Sequence, residues 1–371
     1  MVRQGYIHLN ELFQSEYNFK EGNLFKEPFI ELESVGARKK FWFRFKNDLF
    51  LYKKVSYSIY EAYGEVLSNK IANILHMPCA RYMLADFDYE DDRIDDFKES
   101  KGVITVNFLR EGERLIPIGE IISKVLHSNV FPNIEKQKLY DVYAIDKKVA
   151  IHKMNNLEDL WPILDIYFKD YKAKDIIVQT IMDYLVKMYF FDLITLQGDR
   201  HIWNFGIILD KENHVRPAPI FDNSNMCNLN RPKTVLNFIR LLESQKRFLK
   251  SKNVKIEKDI HNALYHSKLK FSANSEDFLS NETVEKKANQ LDSLEQFLRK
   301  SDSTYTQFLL DWIYTLEEFS IERVLVEVEE ENGIKFEDKF KKYIIDVMYM
   351  NLDNMKERIS EFDYGGKYGR V

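Results

Sequence analysis

The sequence predicts an α+β protein with a small β-rich N-terminal lobe and a large helical C-terminal lobe. Its 371 residues are 45% hydrophobic and 14% aromatic, enough to bury a sizeable core in two domains or in one two-lobed unit. Residues 40–54 alternate with the period of two that is typical of strands, whereas apolar residues recur at helical spacing from about Gly112 onward. We therefore expect an N-terminal domain at 1–111 and a C-terminal domain at 112–371.

The N-terminal domain is predicted to contain a β-hairpin, a helix and a further strand. KFWFRF places phenylalanines at alternate positions, Asn47-Asp48 supply turn chemistry, and LFLYK resumes the extended pattern. Helical spacing then predicts an amphipathic helix over YEAYGEVLSNKIANIL, which Met77-Pro78 ends. The acidic stretch DFDYEDDRIDDFKES is interpreted as a solvated loop before a short β-branched strand, KGVITVNFL.

The C-terminal domain is predicted to be mainly helical. Its clearest apolar stripe is formed by Ile177, Ile181, Tyr184, Met188 and Phe191. Further helices are expected at 234–249, 284–299, 303–319 and 336–362. The stretch GDRHIWNFGIILDKENHVRPAPIFDNSN interrupts the helices and predicts a second hairpin with arms at 205–209 and 215–221, whose prolines restrict the second arm to an edge or an irregular pairing.

This second hairpin places three oxygen-bearing side chains where chemistry could occur. Asn204 precedes the first arm and Asp222 follows the second, so antiparallel pairing should bring them within about 10 Å of each other. Asp199 lies on the loop before the first arm. Such a set suits Mg²⁺ on a nucleotide, with Asp199 as the base of a phosphoryl transfer and the other two residues as metal ligands. The alternative is that Asp-Arg-His caps a helix or satisfies loop backbone, but the joint occurrence of loop, hairpin and exit aspartate favours the functional interpretation.

The N-terminal domain offers a cation for the nucleotide phosphates. Lys53 shares strand parity with Leu49 and Leu51, so it points inward if they do, whereas Lys54 points the other way. A buried ammonium needs a carboxylate, and we expect Glu65 rather than Glu61 on the following helix to supply it. For either glutamate the alternative is an exposed helix face.

The segment SVGARKK lies between two strand-like stretches and could cover phosphates. Gly36 and Ala37 would supply backbone amides, and Arg38, Lys39 and Lys40 would supply positive charge. An ordinary β-turn with solvated basic residues would have the same sequence pattern.

These motifs together resemble the HipA-like bacterial serine/threonine kinases, whose bilobal fold is protein-kinase-like and which include toxins of toxin–antitoxin pairs. GDRHIWNFGII is similar to the family's catalytic loop, here 198–206, and PIFDNS to its metal-binding segment, here 219–224. The resemblance implies that Asp199 is the catalytic base, that Asn204 and Asp222 bind Mg²⁺, and that ATP is the phosphate donor. His201 is expected to brace the catalytic loop by hydrogen bonds.

The same family has a phosphate-covering loop and a nucleotide-binding lysine. Gly36, Ala37 and Lys40 match that loop, Arg38 stands where glutamine is common, and LYK with Lys53 is similar to the lysine strand. The resemblance also implies that Ser34 is autophosphorylated with loss of activity; a turn-capping serine is the alternative. The chain starts close to the small lobe, as short family members do, so an antitoxin-type partner is expected only by analogy with the toxins.

Charge, cysteine content and hydropathy limit the partners and the location. A net charge of −5 and a pI near 6.0 give no global attraction to nucleic acid or anionic membranes, and the basic stretch SQKRFLKSKNVKIEK is interpreted as a solvated helix end and linker. With two cysteines and no signal-peptide or membrane-length apolar run, we expect a cytoplasmic protein, or an effector exported without a cleaved signal.

The resulting hypothesis is an ATP-dependent kinase that phosphorylates serine or threonine in proteins, its own chain included. A small-molecule or lipid kinase would use the same machinery, because the chemistry of phosphoryl transfer does not define the acceptor. A non-catalytic nucleotide-binding protein is the third alternative, although such a protein has no need of a base.

Overall fold

The structure is a computed structural model of the chain. It describes residues 6–11, 29–30, 39–46, 48–88, 99–127, 157, 160–229 and 290–367. Two compact units divide the chain. The first comprises Met1–Arg110, Asp222–Lys252 and Leu316–Val347, and the second comprises Glu111–Phe221, Asn253–Thr315 and Met348–Val371. The predicted α+β class is confirmed, and the division into domains at 1–111 and 112–371 stays a prediction.

The first unit contains a six-stranded sheet with the strand order β1-β5-β6-β4-β3-β2. The strands are β1 (Ile7–His8), β2 (Phe29–Ile30), β3 (Lys40–Phe45), β4 (Asp48–Lys54), β5 (Tyr82–Phe87) and β6 (Ser100–Val106). Neighbouring strands are antiparallel except β1 and β5, which are parallel. The predicted hairpin is confirmed as β3 and β4 and the β-branched strand as β6, whereas β5 was not predicted.

One face of this sheet carries a closed apolar core. Phe43 and Phe45 of β3 pack there with Phe50 and Tyr52 of β4. Leu49 and Leu51 lie on the other face and are only half-buried, so the condition set for Lys53, that these leucines face the core, is not met, and Lys53 lies with them on that other face. The reason is that β4 is apolar on both faces, and its alternation alone does not tell which face is covered.

The helices within the described residues lie in both units. They are α1 (Tyr60–Ile74), α2 (Ile118–His127), α3 (Leu160–Tyr167), α4 (Lys174–Thr195), α5 (Gln290–Lys300), α6 (Ser303–Phe319), α7 (Ile321–Asn332) and α8 (Asp338–Lys367). The predictions of α1, α4, α6 and α8 are confirmed, and α5 matches the described part of the helix expected at 284–299. The helix expected at 234–249 lies outside the described residues.

Helix α7 was not predicted, although its ends carry clear signals. The Ser320 hydroxyl accepts the Arg323 amide at 3.2 Å, and Gly333 ends the helix with φ 62°. A side-chain N-cap and a left-handed glycine at the end are the common boundaries of a helix. Among the described helices, none combines the length and apolar content that a membrane-spanning segment needs.

The second unit contains a three-stranded antiparallel sheet with the order β7-β8-β9. The strands are β7 (Arg114–Pro117), β8 (Gly206–Leu209) and β9 (Val215–Pro217). The predicted hairpin is confirmed as β8 and β9, but its second arm is shorter than expected. Pro217 and Pro219 have no N–H to continue the ladder. Strand β7 corrects the expectation that the chain turns helical directly after Gly112.

Candidate functional site

In the first unit, Lys53 contacts two carboxylates. Its ammonium lies 2.6 Å from Glu65 Oε1 on α1 and also forms an ion pair with Asp222. The side chain of Lys53 is 11% exposed, that of Glu65 1% and that of Asp222 36%. A charge so far removed from water needs opposite charges and hydrogen bonds in return. The predicted Lys53–Glu65 pair is therefore present.

Glu61, the alternative partner, has a different task. It is buried rather than on an exposed helix face, which corrects that alternative for both glutamates. Its carboxylate accepts the backbone amides of Ser56 and Tyr57 at 3.2 and 2.9 Å. Glu61 thus fixes the turn between β4 and α1, and it places Glu65 one helical turn further along.

Glu65 also joins helix α1 to the segment that begins at Asp222. Its second oxygen, Oε2, accepts the Asn223 amide at 2.7 Å. The helix approaches this segment so closely that a Cβ added to Gly64 would lie 2.9 Å from the Ser224 carbonyl oxygen. Glycine is therefore required at this contact in spite of its low helix propensity.

The backbone of Asp222 is held in an uncommon conformation. Its φ is 59°, in the left-handed region that Asp and Asn adopt more readily than other non-glycine residues. Its N–H donates to the hydroxyl of the buried Tyr82 at 3.1 Å. Burial raises the pKa of Tyr82 well above its usual value, and the negative charge of Glu65 raises it further. Tyr82 thus stays a neutral phenol, and its role was not foreseen because 140 residues separate it from Asp222.

In the second unit, the predicted catalytic loop is organised around Arg200, a residue to which the sequence analysis gave no role. Arg200 is fully buried, and its Nε and Nη2 donate to the two carboxylate oxygens of Asp192 on α4, each at 2.9 Å. Nη1 donates to the carbonyls of Asn204 at 3.2 Å and Phe221 at 2.7 Å. The planar guanidinium is suited to such forked contacts.

Asp192 supplies the charge that Arg200 needs. Full burial raises the pKa of Asp192, while the charge and hydrogen bonds of Arg200 oppose that shift. The end of α4 that carries Asp192 is held in turn by Asn351 of α8, whose Nδ2 donates to the carbonyls of Leu193 and Ile194 at 2.8 and 3.0 Å. The loop is therefore attached to a buried and well-anchored helix end.

His201 and Asn204 make the local hydrogen bonds of the loop. The His201 Nδ1 accepts the Trp203 amide at 3.3 Å, and its carbonyl accepts the Asn204 amide at 2.7 Å. The Asn204 Nδ2 donates to the Asp199 carbonyl at 3.3 Å. The expected bracing contacts of His201 are present, and its role in catalysis stays a prediction. The amide oxygen is the atom with which Asn204 could bind a metal ion.

The loop is also held by the start of helix α2. The amides of Ile118 and Gly119 donate to the carbonyls of Phe205 and Ile202, both at 3.0 Å. A Cβ on Gly119 would lie 2.8 Å from the ring of Trp203, so only glycine allows this approach. Backbone carbonyls on both sides of Asn204 are thus fixed by a helix N-terminus.

The predicted site residues fall into three groups. Lys53, Glu65 and Asp222 meet in the first unit, and Lys40 is the direct neighbour of Lys53 in the β3–β4 register. The second group, in the second unit, is the loop with Asp199, His201 and Asn204. The third group, Ser34, Gly36, Ala37 and Arg38, lies outside the described residues. The expected closeness of Asn204 to Asp222 involves both units and stays a prediction.

The fold of the chain is similar to that of a kinase. A proinflammatory kinase of Helicobacter pylori, CtkA, is similar with a TM-score of 0.54 and 16% identity, over 87% of this chain and 95% of CtkA. HipA of Shewanella oneidensis MR-1, from a toxin–antitoxin system and solved with HipB and operator DNA, gives a TM-score of 0.44 and 13% identity, over 91% of this chain and 67% of HipA. The likeness to CtkA confirms the predicted resemblance at the level of the fold. No family model and no curated protein sequence matches the chain.

Proposed function

We propose that this chain is an ATP- and Mg²⁺-dependent serine/threonine protein kinase. The observation that supports this most is the Lys53 ammonium held between the buried Glu65 and Asp222, which is about one third exposed. Protein kinases use such a lysine on the nucleotide phosphates, a glutamate on the following helix to hold it, and an aspartate for Mg²⁺.

The donor atoms fit a hard cation. The carboxylate of Asp222 and the amide oxygen of Asn204 are oxygen ligands of the kind that Mg²⁺ takes alongside nucleotide phosphates. When bound, the ion would neutralise charge on the β- and γ-phosphates. In the proposal Lys53 binds phosphate oxygens, Glu65 keeps the ammonium in place, and Asp222 exchanges part of its contact with Lys53 for the metal ion.

Asp199 is the proposed base. It would orient the acceptor hydroxyl and accept its proton as the new bond to phosphorus forms. A base acts well only in a fixed position. The hydrogen bonds from Arg200 to the Asn204 carbonyl and from the Asn204 side chain to the Asp199 carbonyl support this role, because they hold the backbone at Asp199 and after it.

The phosphate-covering loop with Gly36, Ala37, Arg38 and Lys40 remains a proposal from the sequence. The same holds for Ser34: a phosphate there would bring nearly two negative charges close to those of ATP, which should inhibit the enzyme. We also expect an antitoxin-type partner and a cytoplasmic location, as inferred from the sequence.

Three variants test the assignment. The purified protein is incubated with γ-labelled ATP and Mg²⁺, alone and with lysate proteins, and phosphate is located by mass spectrometry. Asp199→Asn should lose about 10²–10⁴-fold in transfer with nearly unchanged ATP binding, as expected on removal of a base. Asp222→Asn should weaken ATP binding only when Mg²⁺ is present. Asp170→Asn is the matched control for Asp199→Asn, because Asp170 lies on an exposed turn of the second unit.

The alternatives give different results. ATP binding with no labelled acceptor would favour the nucleotide-binding protein, and label on a lipid or small molecule alone would favour the second enzyme. Wild-type turnover by Asp199→Asn would remove this residue from the mechanism.

A further inference from the structure

Helix α1 is held on a second face, away from Glu65. The ring of Tyr60 stacks on Phe340 of α8 with centroids 4.9 Å apart, and Tyr63 meets Phe336 edge-on at 4.8 Å. Further along, the Lys70 ammonium lies 2.5 Å from Glu327 and 2.7 Å from Glu331 of α7. All of these residues belong to the first unit.

The spacing along α1 shows that these contacts share one face. Tyr63 and Lys70 are seven residues apart, close to two full turns, whereas Glu65 is rotated from Lys70 by about 140°. The helix therefore lies between two sets of contacts. One set meets Lys53 and Asn223 through Glu65, and the other meets α7 and α8.

Helix α7 is in turn fixed to the sheet that carries Lys53. Asn332, at the end of α7, is buried; its Oδ1 accepts the Leu84 amide of β5 at 3.3 Å, and its Nδ2 donates to the Val328 carbonyl at 2.9 Å. Because β5 and β4 are in one sheet, α7 spans from the sheet to α1. The position of α1 relative to β4 is thus defined by α7 as well as by Glu65.

Lys70 is well placed to stabilise the contact between α1 and α7. Its side chain is 15% exposed, and those of Glu327 and Glu331 are 25% and 37% exposed. Burial lowers the pKa of Lys70, but the two glutamates outweigh it and raise the pKa above its usual value. Arg323 also bonds Glu327, at 2.8 Å, which orients that carboxylate toward Lys70.

We propose that Lys70 is a positioning residue, which with Glu327 and Glu331 holds α1 where Glu65 can bind Lys53. The kinetic consequence rests on the proposed kinase function. A second consequence does not: the Asn223 amide bonds Glu65, so its hydrogen exchange reports the position of Glu65 without any catalysis.

The experiment compares Lys70→Met with Lys124→Met, which removes the Lys124–Glu120 pair within α2. We expect amide exchange at Asn223 and along α1 to be about fivefold faster in Lys70→Met, with kcat lower by a similar factor, since an ion pair of this exposure contributes modestly. Lys124→Met should have the amide exchange rates and kcat of the wild type. Lys70→Arg keeps the positive charge and should also have wild-type exchange rates and kcat. In a Glu65→Gln background the Lys70 substitution should have no further effect on kcat, because it acts through Glu65.

Two results would overturn the inference. Wild-type exchange at Asn223 in both Lys70→Met and the Glu327→Gln/Glu331→Gln double variant would show that α7 does not set the position of Glu65. If the fold-losses in kcat from the Lys70 and Glu65 substitutions multiplied in the double variant, Lys70 would act independently of Glu65. A chain without phosphotransferase activity would refute the proposed function alone, and the exchange comparison would still decide the role of Lys70.

Discussion

The cluster at Asp222 and the loop that carries Asp199 are both held in place, but by different means. Asp222 contacts Lys53, 169 residues earlier in the chain, and it remains about one third exposed. The Asp199 loop is held by the buried Arg200, whose partners Asp192, Asn204 and Phe221 lie within 21 residues of it. The first arrangement depends on charges distant in the sequence, and the second on a buried ion pair and backbone hydrogen bonds among residues close in the sequence.

This difference suggests that the Asp222 cluster and the Asp199 loop have different roles in the proposed reaction. In the proposed function, the Asp222 carboxylate, which is still about one third exposed, can exchange part of its contact with Lys53 for a cation. A loop held by a buried guanidinium is fixed before the substrate binds, as a base requires. The following variants test this comparison, in order of decreasing expected effect.

Arg200→Met should cause the largest loss. It leaves Asp192 buried without its counter-charge, which costs about 3–5 kcal/mol of folding stability. Urea unfolding of Arg200→Met and of Arg299→Met measures this; Arg299 forms an exposed pair with Glu295 and should cost under about 1 kcal/mol. Equal costs would contradict the special role of the buried pair. Adding Asp192→Leu to Arg200→Met should recover part of the loss.

Lys53→Met should lower ATP affinity or turnover by about 10–100-fold, the value of one or two hydrogen bonds to a charged group. Lys54 points to the other face of β4, so Lys54→Met should keep ATP affinity and turnover near the wild-type values. Titration of both variants with ATP and Mg²⁺ makes the comparison. If the two substitutions had equal effects, the assignment of Lys53 to the nucleotide would fail.

Gly64→Ala should destabilise the first unit by about 1–3 kcal/mol, because the added methyl would press on the Ser224 carbonyl. Asn73→Ala, at an exposed position of the same helix, should be neutral or slightly stabilising. Thermal unfolding of the two variants separates the close contact from helix propensity. A stabilised Gly64→Ala would mean that the segment can move away from α1 at little cost.

The smallest effect is expected in the turn between β8 and β9, which separates the two regions in sequence. A hydrogen bond to Asp210 and its charge raise the pKa of His214 above 6.5. The resulting stabilisation is fully present below the unfolded pKa and is lost as the pH rises through the higher folded pKa. An NMR titration of His214 should show this shift, and Asp210→Asn should reduce it. An unchanged pKa in that variant would exclude Asp210 as the cause.

Local patterns were sufficient for part of this structure. Strand parity separated Lys53 from Lys54 but did not tell which face of β4 was covered, the place of Glu65 on the following helix predicted its pair with Lys53, and the turn residues between 209 and 215 predicted the β8–β9 hairpin. Each of these depends on neighbours within a few residues. The bounds of α6 follow from the sequence for the same reason.

Other contacts depend on residues far apart in the chain and could not be predicted. Nothing near Tyr82 indicates that its hydroxyl meets the Asp222 amide, and the burial of Arg200 follows from the packing of α4. Strand β7 is four residues long, too short for a periodic signal. Helix α7 is different: its serine cap and terminal glycine were visible in the sequence and could have been recognised.

The left-handed backbone at Asp222 also narrows the range of residues that can occupy this position. Glycine, asparagine and aspartate adopt φ near 59° with little strain, whereas alanine and larger residues lose about 1–2 kcal/mol. In a saturation library, Asn and Gly at 222 should give folded but charge-deficient proteins, and most other substitutions should also lower the yield of folded protein. The left-handed backbone and the negative charge that the proposed Mg²⁺ site requires are thus two independent constraints at this position. Aspartate is the one residue that satisfies both.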